Sequence, residues 1–132
     1  MSGIGTLTLG IGTDSGVSAA ELAALVRDTL AAHNLSPRDI ACVVSLDSKR
    51  SEPALRELAR TLDVPARFFD AATLRVETPR LRTPSARVEA ATGVAGIAEA
   101  AALAAAGPDS ELIVPKTKSP HATCAVARRA AP

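Results

Sequence analysis

Three kinds of residue in this chain could meet a charged ligand: glycines that bare the backbone, clustered lysines and arginines, and the carboxylates and hydroxyls beside them. The densest such stretch is Leu7-Thr-Leu-Gly-Ile-Gly-Thr-Asp-Ser-Gly-Val-Ser18-Ala-Ala-Glu21. Gly10, Gly12 and Gly16 remove side chains where an apolar strand gives way to a turn around Thr13, and there a positive φ becomes cheap. Ser18 can cap the helix that follows, and Glu21, three residues on, can return a bond to the Ser18 N–H as a capping box. A strand, a bare backbone and a helix N-terminus in succession suit an anion. The spacing G-x-G-x-x-x-G departs from the dinucleotide fingerprint, and Asp47, the nearest acidic residue at a strand end, lies too far downstream to hold a ribose. A plain strand-to-helix turn and an anion site without nucleotide both remain open.

Of the 15 lysines and arginines, eight fall in three predicted loops: Lys49 and Arg50; Arg75, Arg80, Arg82 and Arg87; Lys116 and Lys118. The first and third loops leave the carboxyl ends of predicted strands, the side on which open α/β sheets bind ligands. Lys49, Lys116 and Lys118 are therefore expected to line one electropositive crevice with the glycine turn, helped by the helix start at Ser18. Asp47, Glu52 and Glu99 have the chemistry of a general acid or base, although Glu52 and Glu99 lie near predicted helix starts, where a carboxylate is stabilising without catalytic duty. His121 stands beside Lys118 and is the better site histidine, His33 reading as a helix-end residue, and Ser119 or Thr123 could donate to an anion. No nucleophile with an adjacent base is visible, so no catalytic residue is assigned. Cys42 and Cys124 sit in apolar runs without metal-ligand spacing and read as buried free thiols; no metal or cofactor is expected.

Composition limits the rest. At 132 residues and 47% hydrophobic content the chain suits one domain spanning 1–132. Aromatics make up 2%, with no Trp or Tyr, so the core must be built from Ala, Leu, Val and Ile, and bases have nothing to stack on. With a net charge of +1 as well, nucleic acid is not an expected partner. Membrane spans and a signal peptide are not apparent, which points to the cytoplasm.

These residues need elements to position them. Apolar periodicity predicts a strand from Thr6 to Ile11, a helix from Ser18 to about His33 closed by Asn34, and a doubly covered strand from Ile40 to Leu46. A helix capped by Ser51 should run to Leu62, followed by a short strand at 66–69. After a turn of helix at 70–74, residues 77–85 read as an irregular and mobile loop, and Ser85 could cap a short helix through Ala91. An alanine-rich helix from Gly96 to Ala106 should end at Gly107 in the αL conformation. Strands at 111–114 and 122–127 are joined by a connection too short for a crossover helix, so they should be antiparallel. The expected fold is a three-layer α/β/α sandwich around a mixed five-stranded sheet, mostly parallel, with order 3-2-1-4-5 and the last strand an antiparallel edge.

Four segments, in this order and spacing, resemble the cobalamin-biosynthesis family comprising CobE and the C-terminal domain of CbiG. They are Gly10-Ile-Gly12 with Ser18 and Glu21; Asp47-Ser-Lys49-Arg-Ser-Glu52-Pro-Ala-Leu55; Thr92-Gly-Val-Ala-Gly-Ile-Ala-Glu99-Ala-Ala-Ala-Leu103; and Leu112-Ile-Val-Pro-Lys116-Thr-Lys118-Ser-Pro-His-Ala-Thr123. Since nothing precedes the first strand, the likeness is to the free-standing form. The resemblance implies a role in the corrin-ring pathway, binding a precorrin or corrinoid polycarboxylate, with a precorrin methyltransferase as a candidate protein partner and a homodimer as a candidate assembly. The fused relative opens a lactone of a cobalt-precorrin and releases acetaldehyde, which makes a hydrolase the alternative. Relatives often carry Cys-Arg after Gly-Ile-Gly, where this chain has Thr13-Asp14; if that arginine holds a substrate carboxylate, another residue must do so here.

Overall fold

The computed structural model describes residues 5–130. The strands are β1 (Leu7–Thr13), β2 (Ile40–Leu46), β3 (Ala66–Phe69), β4 (Glu111–Lys118) and β5 (Ala122–Arg128). The helices are α1 (Ala19–Ala32), α2 (Pro53–Leu62), α3 (Ala71–Arg75), α4 (Ala86–Thr92) and α5 (Ile97–Ala106). α1 and α2 pack together on one face of the sheet and α5 covers the other, which gives the expected three layers. Side chains alternate accordingly: Leu9, Ile11, Cys124 and Val126 join Leu22, Leu25 and Leu55 on the first face, while Cys42 and Val44 meet Ala101 and Leu74 on the second.

The sheet order is β3-β2-β1-β5-β4, which corrects the expected 3-2-1-4-5. β1, β2 and β3 are parallel, and β5 is antiparallel to both β1 and β4. Strands β4 and β5 are neighbours as anticipated, but β5 fills the inner slot and β4 forms the edge. Composition gives the reason. Cys124, Ala125, Val126 and Ala127 of β5 are all buried, whereas β4 carries Pro115, which cannot donate to a ladder, two register shifts, and Lys116 and Lys118 near its end. Proline, irregularity and lysine are what an unpaired edge tolerates. β4 is also longer than expected, so both lysines lie on the strand and only residues 119–121 form the turn.

The glycine stretch is likewise redistributed. β1 runs through Gly10 and Gly12 to Thr13, and of the three glycines only Gly16 takes a positive φ, +78°. Gly10 has a different duty: a Cβ there would fall 1.9 Å from the Ala98 carbonyl oxygen, because α5 presses its alanine face directly on β1. Thr8 Oγ1 donates to the Ala102 carbonyl at 2.7 Å across the same contact.

Ser18 caps α1 as expected, accepting from the Glu21 N–H at 3.0 Å, but the reciprocal bond is not made, because the Glu21 carboxylate is engaged elsewhere. Glu52, not Ser51, occupies the N-cap position of α2, without a side-chain capping bond. The irregular stretch expected to be mobile is anchored at Arg80, whose guanidinium meets Glu77 and the carbonyls of Gly107 at 3.1 Å and Ser110 at 3.1 Å, just past the carboxyl end of α5. A cation there complements the helix dipole and the free terminal carbonyls. Gly107 itself takes φ 103°, ψ 172°, an extended left-handed conformation and not the expected αL.

Candidate functional site

The strand directions bring the ends of β1, β2 and β4 and the start of β5 to one edge of the sheet. Two adjoining clefts open there. The first, about 440 Å³, is lined by Gly12, Thr13 and Thr123 of β1 and β5 and by two further segments that wall it: Lys116, Lys118, Ser119 and His121 of β4 and its turn, and Ser85, Arg87 and Thr92 of α4 and its cap. The second, about 640 Å³, is bordered by Thr13, Asp47, Lys49 and Asp70. Thr13, Asp14, Ala91, Thr92 and Ile97 line both.

The structure thus groups most of the sequence-derived candidates but not as one crevice. Gly12, Thr13, Lys116, Lys118, Ser119 and His121 share the first cleft. Lys49 and Asp47 lie in the second, where Asp47 pairs with Arg50 at 2.5 Å and Asp70 adds another carboxylate, so that cleft is mixed in charge. Gly10 lies beneath α5 and borders neither cleft. Glu52 also borders neither; its carboxylate accepts from the Gly16 N–H at 3.2 Å and ties the β1–α1 loop to α2.

The helix terminus at the site is a different one from that expected. The N-terminus of α1 lines neither cleft, whereas Gly96 and Ile97 at the start of α5 line the first, and Gly96 supplies no side-chain cap. The free N–H groups of that first turn carry a partial positive charge, which the Glu99 carboxylate in the same turn offsets.

Arg87 is the main residue that sequence reasoning underrated. The sequence groups it with the loop cations, below the lysines; the expected Ser85 cap is made, Ser85 Oγ accepting from the Val88 N–H at 3.2 Å, and the helix it starts, α4, brings Arg87 to the cleft. Among the described residues, the side-chain cations of Arg87, Lys116 and Lys118 make no ion pair or hydrogen bond. Ser119, by contrast, is not a free donor: its hydroxyl meets Glu21 Oε2 at 2.5 Å. The His121 N–H reaches the same oxygen at 2.7 Å. Those two bonds, the Ser119 hydroxyl first, hold the Glu21 carboxyl below its ordinary range. His121 Nδ1 lies 3.3 Å from Asp14 Oδ2 at the cleft rim. Thr13 Oγ1 is buried where the clefts meet and has no hydrogen-bond partner, an uncommon state for a buried hydroxyl.

Glu99 is not poised for proton transfer. It is 1% exposed, and its two oxygens accept from the Arg82 N–H at 2.8 Å, the Thr83 N–H at 3.1 Å, Thr83 Oγ1 at 2.8 Å and the Lys116 N–H at 2.8 Å. Burial alone would raise its pKa, but these bonds together outweigh burial and leave it lowered.

The edge defines a class: an α/β sandwich domain with a cleft at the carboxyl ends of its parallel strands, lined by Arg87, Lys116 and Lys118 with no ion pair among the described residues. Within that class the chain belongs to the family described as "Cobalamin synthesis G C-terminus", whose profile matches residues 7–127. It is similar to "Protein CobE" of Sinorhizobium sp, with 46% identity over 121 residues, 92% of this chain and 79% of that protein. It is 30% identical over 92% of its length to "Cobalt-precorrin-5A hydrolase" of Priestia megaterium, spanning 32% of that protein. The crystal structure of CobE, described as a protein from the cobalamin (vitamin B12) biosynthetic pathway, superposes with a TM-score of 0.89 at 40% identity, over 95% of this chain and 94% of the other. No single helix among the described residues is long and apolar enough to cross a membrane.

Proposed function

We propose that this protein binds a precorrin or corrin polycarboxylate at the paired clefts and serves corrin-ring formation as an accessory protein in the cytoplasm, passing the intermediate to a partner such as a precorrin methyltransferase. One observation carries the reading: Arg87, Lys116 and Lys118 line one cleft and make no ion pair among the described residues, the cleft's Asp14 facing His121 instead. Cations on a protein surface commonly find solvent or a nearby carboxylate. Three around one concavity, beside the uncapped start of α5, match a ligand that carries several carboxylates on a rigid frame. Membership in a cobalamin-synthesis family supports a corrin-type intermediate as that ligand. Titrating the protein with hydrogenobyrinic acid, followed by the corrinoid absorbance, tests it: saturable binding that weakens as salt rises supports the reading, and no binding at low salt refutes it.

A second reading, hydrolysis of the ring-A lactone, is favoured by the Asp14–His121 pair at the rim and by the likeness to the Priestia megaterium hydrolase. A carboxylate on Nδ1 would orient the imidazole so that the other nitrogen takes a proton from water attacking the lactone carbonyl. Acetaldehyde released from a lactone-bearing cobalt-precorrin, and lost in Asp14→Asn and His121→Ala, would establish that reading over pure binding.

A further inference from the structure

Glu99 is the only buried charged side chain among the described residues, and it has no counter-cation. A carboxylate offers about four lone-pair sites, and here each oxygen accepts two bonds, so none is left for solvent or ligand. The donors come from two separate segments. Arg82 and Thr83 lead into the excursion 85–95, closed at its base by the Ser85 N–H bonding the Ala95 carbonyl at 2.8 Å, and that excursion carries Arg87. Lys116 lies in the bulged part of β4: Val114 pairs with Val126 and Thr117 with Cys124, leaving two residues opposite one. The bulge frees the Lys116 N–H from the ladder, and Glu99 takes it.

We infer that Glu99 is a positioning residue that sets the separation of Arg87 and Lys116, which reach the first cleft from the separate segments α4 and β4, and so its fit to a polycarboxylate. The inference rests on the binding reading above for its ligand, not for its geometry. Electrostatics alone argues the opposite effect. A buried negative charge beside the cleft opposes an incoming anion, so neutralising it would tighten binding if only its field mattered. Positioning predicts weaker binding instead. In Glu99→Gln one amide N–H₂ replaces an acceptor and faces the Lys116 N–H or the Arg82–Thr83 segment, so one wall must move.

The test uses Glu99→Gln, the double change Arg87→Gln/Lys116→Gln, and all three together. Hydrogen exchange on the free protein comes first: peptides covering 82–92 and 114–118 should exchange about tenfold faster in Glu99→Gln, while those of β1 stay as in wild type. With hydrogenobyrinic acid as probe, Glu99→Gln should weaken binding about tenfold, and should cost nothing further once Arg87 and Lys116 are already changed. If Glu99→Gln does not fold, Thr83→Val, which withdraws only the hydroxyl, should give the same pattern at smaller amplitude. Unchanged exchange in both segments, tighter binding, or full additivity would overturn the assignment. If wild type binds no corrinoid, the binding reading falls by itself and the exchange experiment alone decides whether Glu99 ties the two walls.

Discussion

Glu21, in the first turn of α1, and Ser119, in the β4–β5 turn 98 positions away, are joined by a hydrogen bond of 2.5 Å from the Ser119 hydroxyl to the carboxylate. The same oxygen accepts from the His121 N–H at 2.7 Å. One helix-start carboxylate therefore holds the hairpin tip that carries the rim of the first cleft, which explains why the expected capping box is only half made.

This bond has a pH signature. Glu21 has a folded pKa below its ordinary value of 4.5, so its stabilisation is fully present above that value and is lost as pH falls through the lowered one. The amide resonances of Ser119 and His121 should shift together with a midpoint below 4.5, and Glu21→Gln should abolish that shared transition. A midpoint at or above the ordinary value would contradict the assignment.

The packing of α5 makes Gly10 and Gly12 unequal. Gly10→Ala would place its Cβ against the backbone of Ala98, at 1.9 Å, while at Gly12 the obstacle is the rotatable Thr123 hydroxyl at 2.6 Å. Backbone cannot give way cheaply, so Gly10→Ala should cost about 3 kcal/mol or more in urea unfolding, and Gly12→Ala about 1 kcal/mol. Equal losses would show that α5 does not sit as described.

Burial pushes the thiols of both Cys42 and Cys124 up in pKa, and both are buried at the sheet on opposite faces. Each should react slowly with a thiol reagent in the native protein and rapidly once unfolded. Fast native labelling of Cys42 would place β2 elsewhere than between its two layers.

Much of the fold was legible because apolar periodicity reports burial directly. Ile40–Leu46 reads as a doubly covered strand and is one, and Leu22, Leu25, Val26 and Leu30 form the buried stripe of α1. The exchange of β4 and β5 in the sheet was missed because hairpin geometry makes two strands neighbours without saying which one lies inside; Pro115 was the available signal. Lys116, Lys118 and His121, picked from charge and from strand ends, line one cleft. That Arg87 lines the same cleft, and that Glu21 ties the hairpin, were not legible, since both depend on segments distant in sequence meeting at one edge.

The central claim is that the first cleft holds a polycarboxylate through Arg87, Lys116 and Lys118. The most direct measurement is the affinity of the double variant Lys116→Glu/Lys118→Glu for hydrogenobyrinic acid at low salt, with its melting temperature recorded alongside. Both lysines make no side-chain bond among the described residues and β4 is an edge strand, so stability should change by about 0.5 kcal/mol or less. Exposed single pairs contribute about 0–1 kcal/mol, but reversing two charges that face several carboxylates should weaken binding about tenfold or more. A wild-type protein that binds the corrinoid, and a folded double variant that does not, is the predicted result. Equal affinity of the two at low salt would contradict the account.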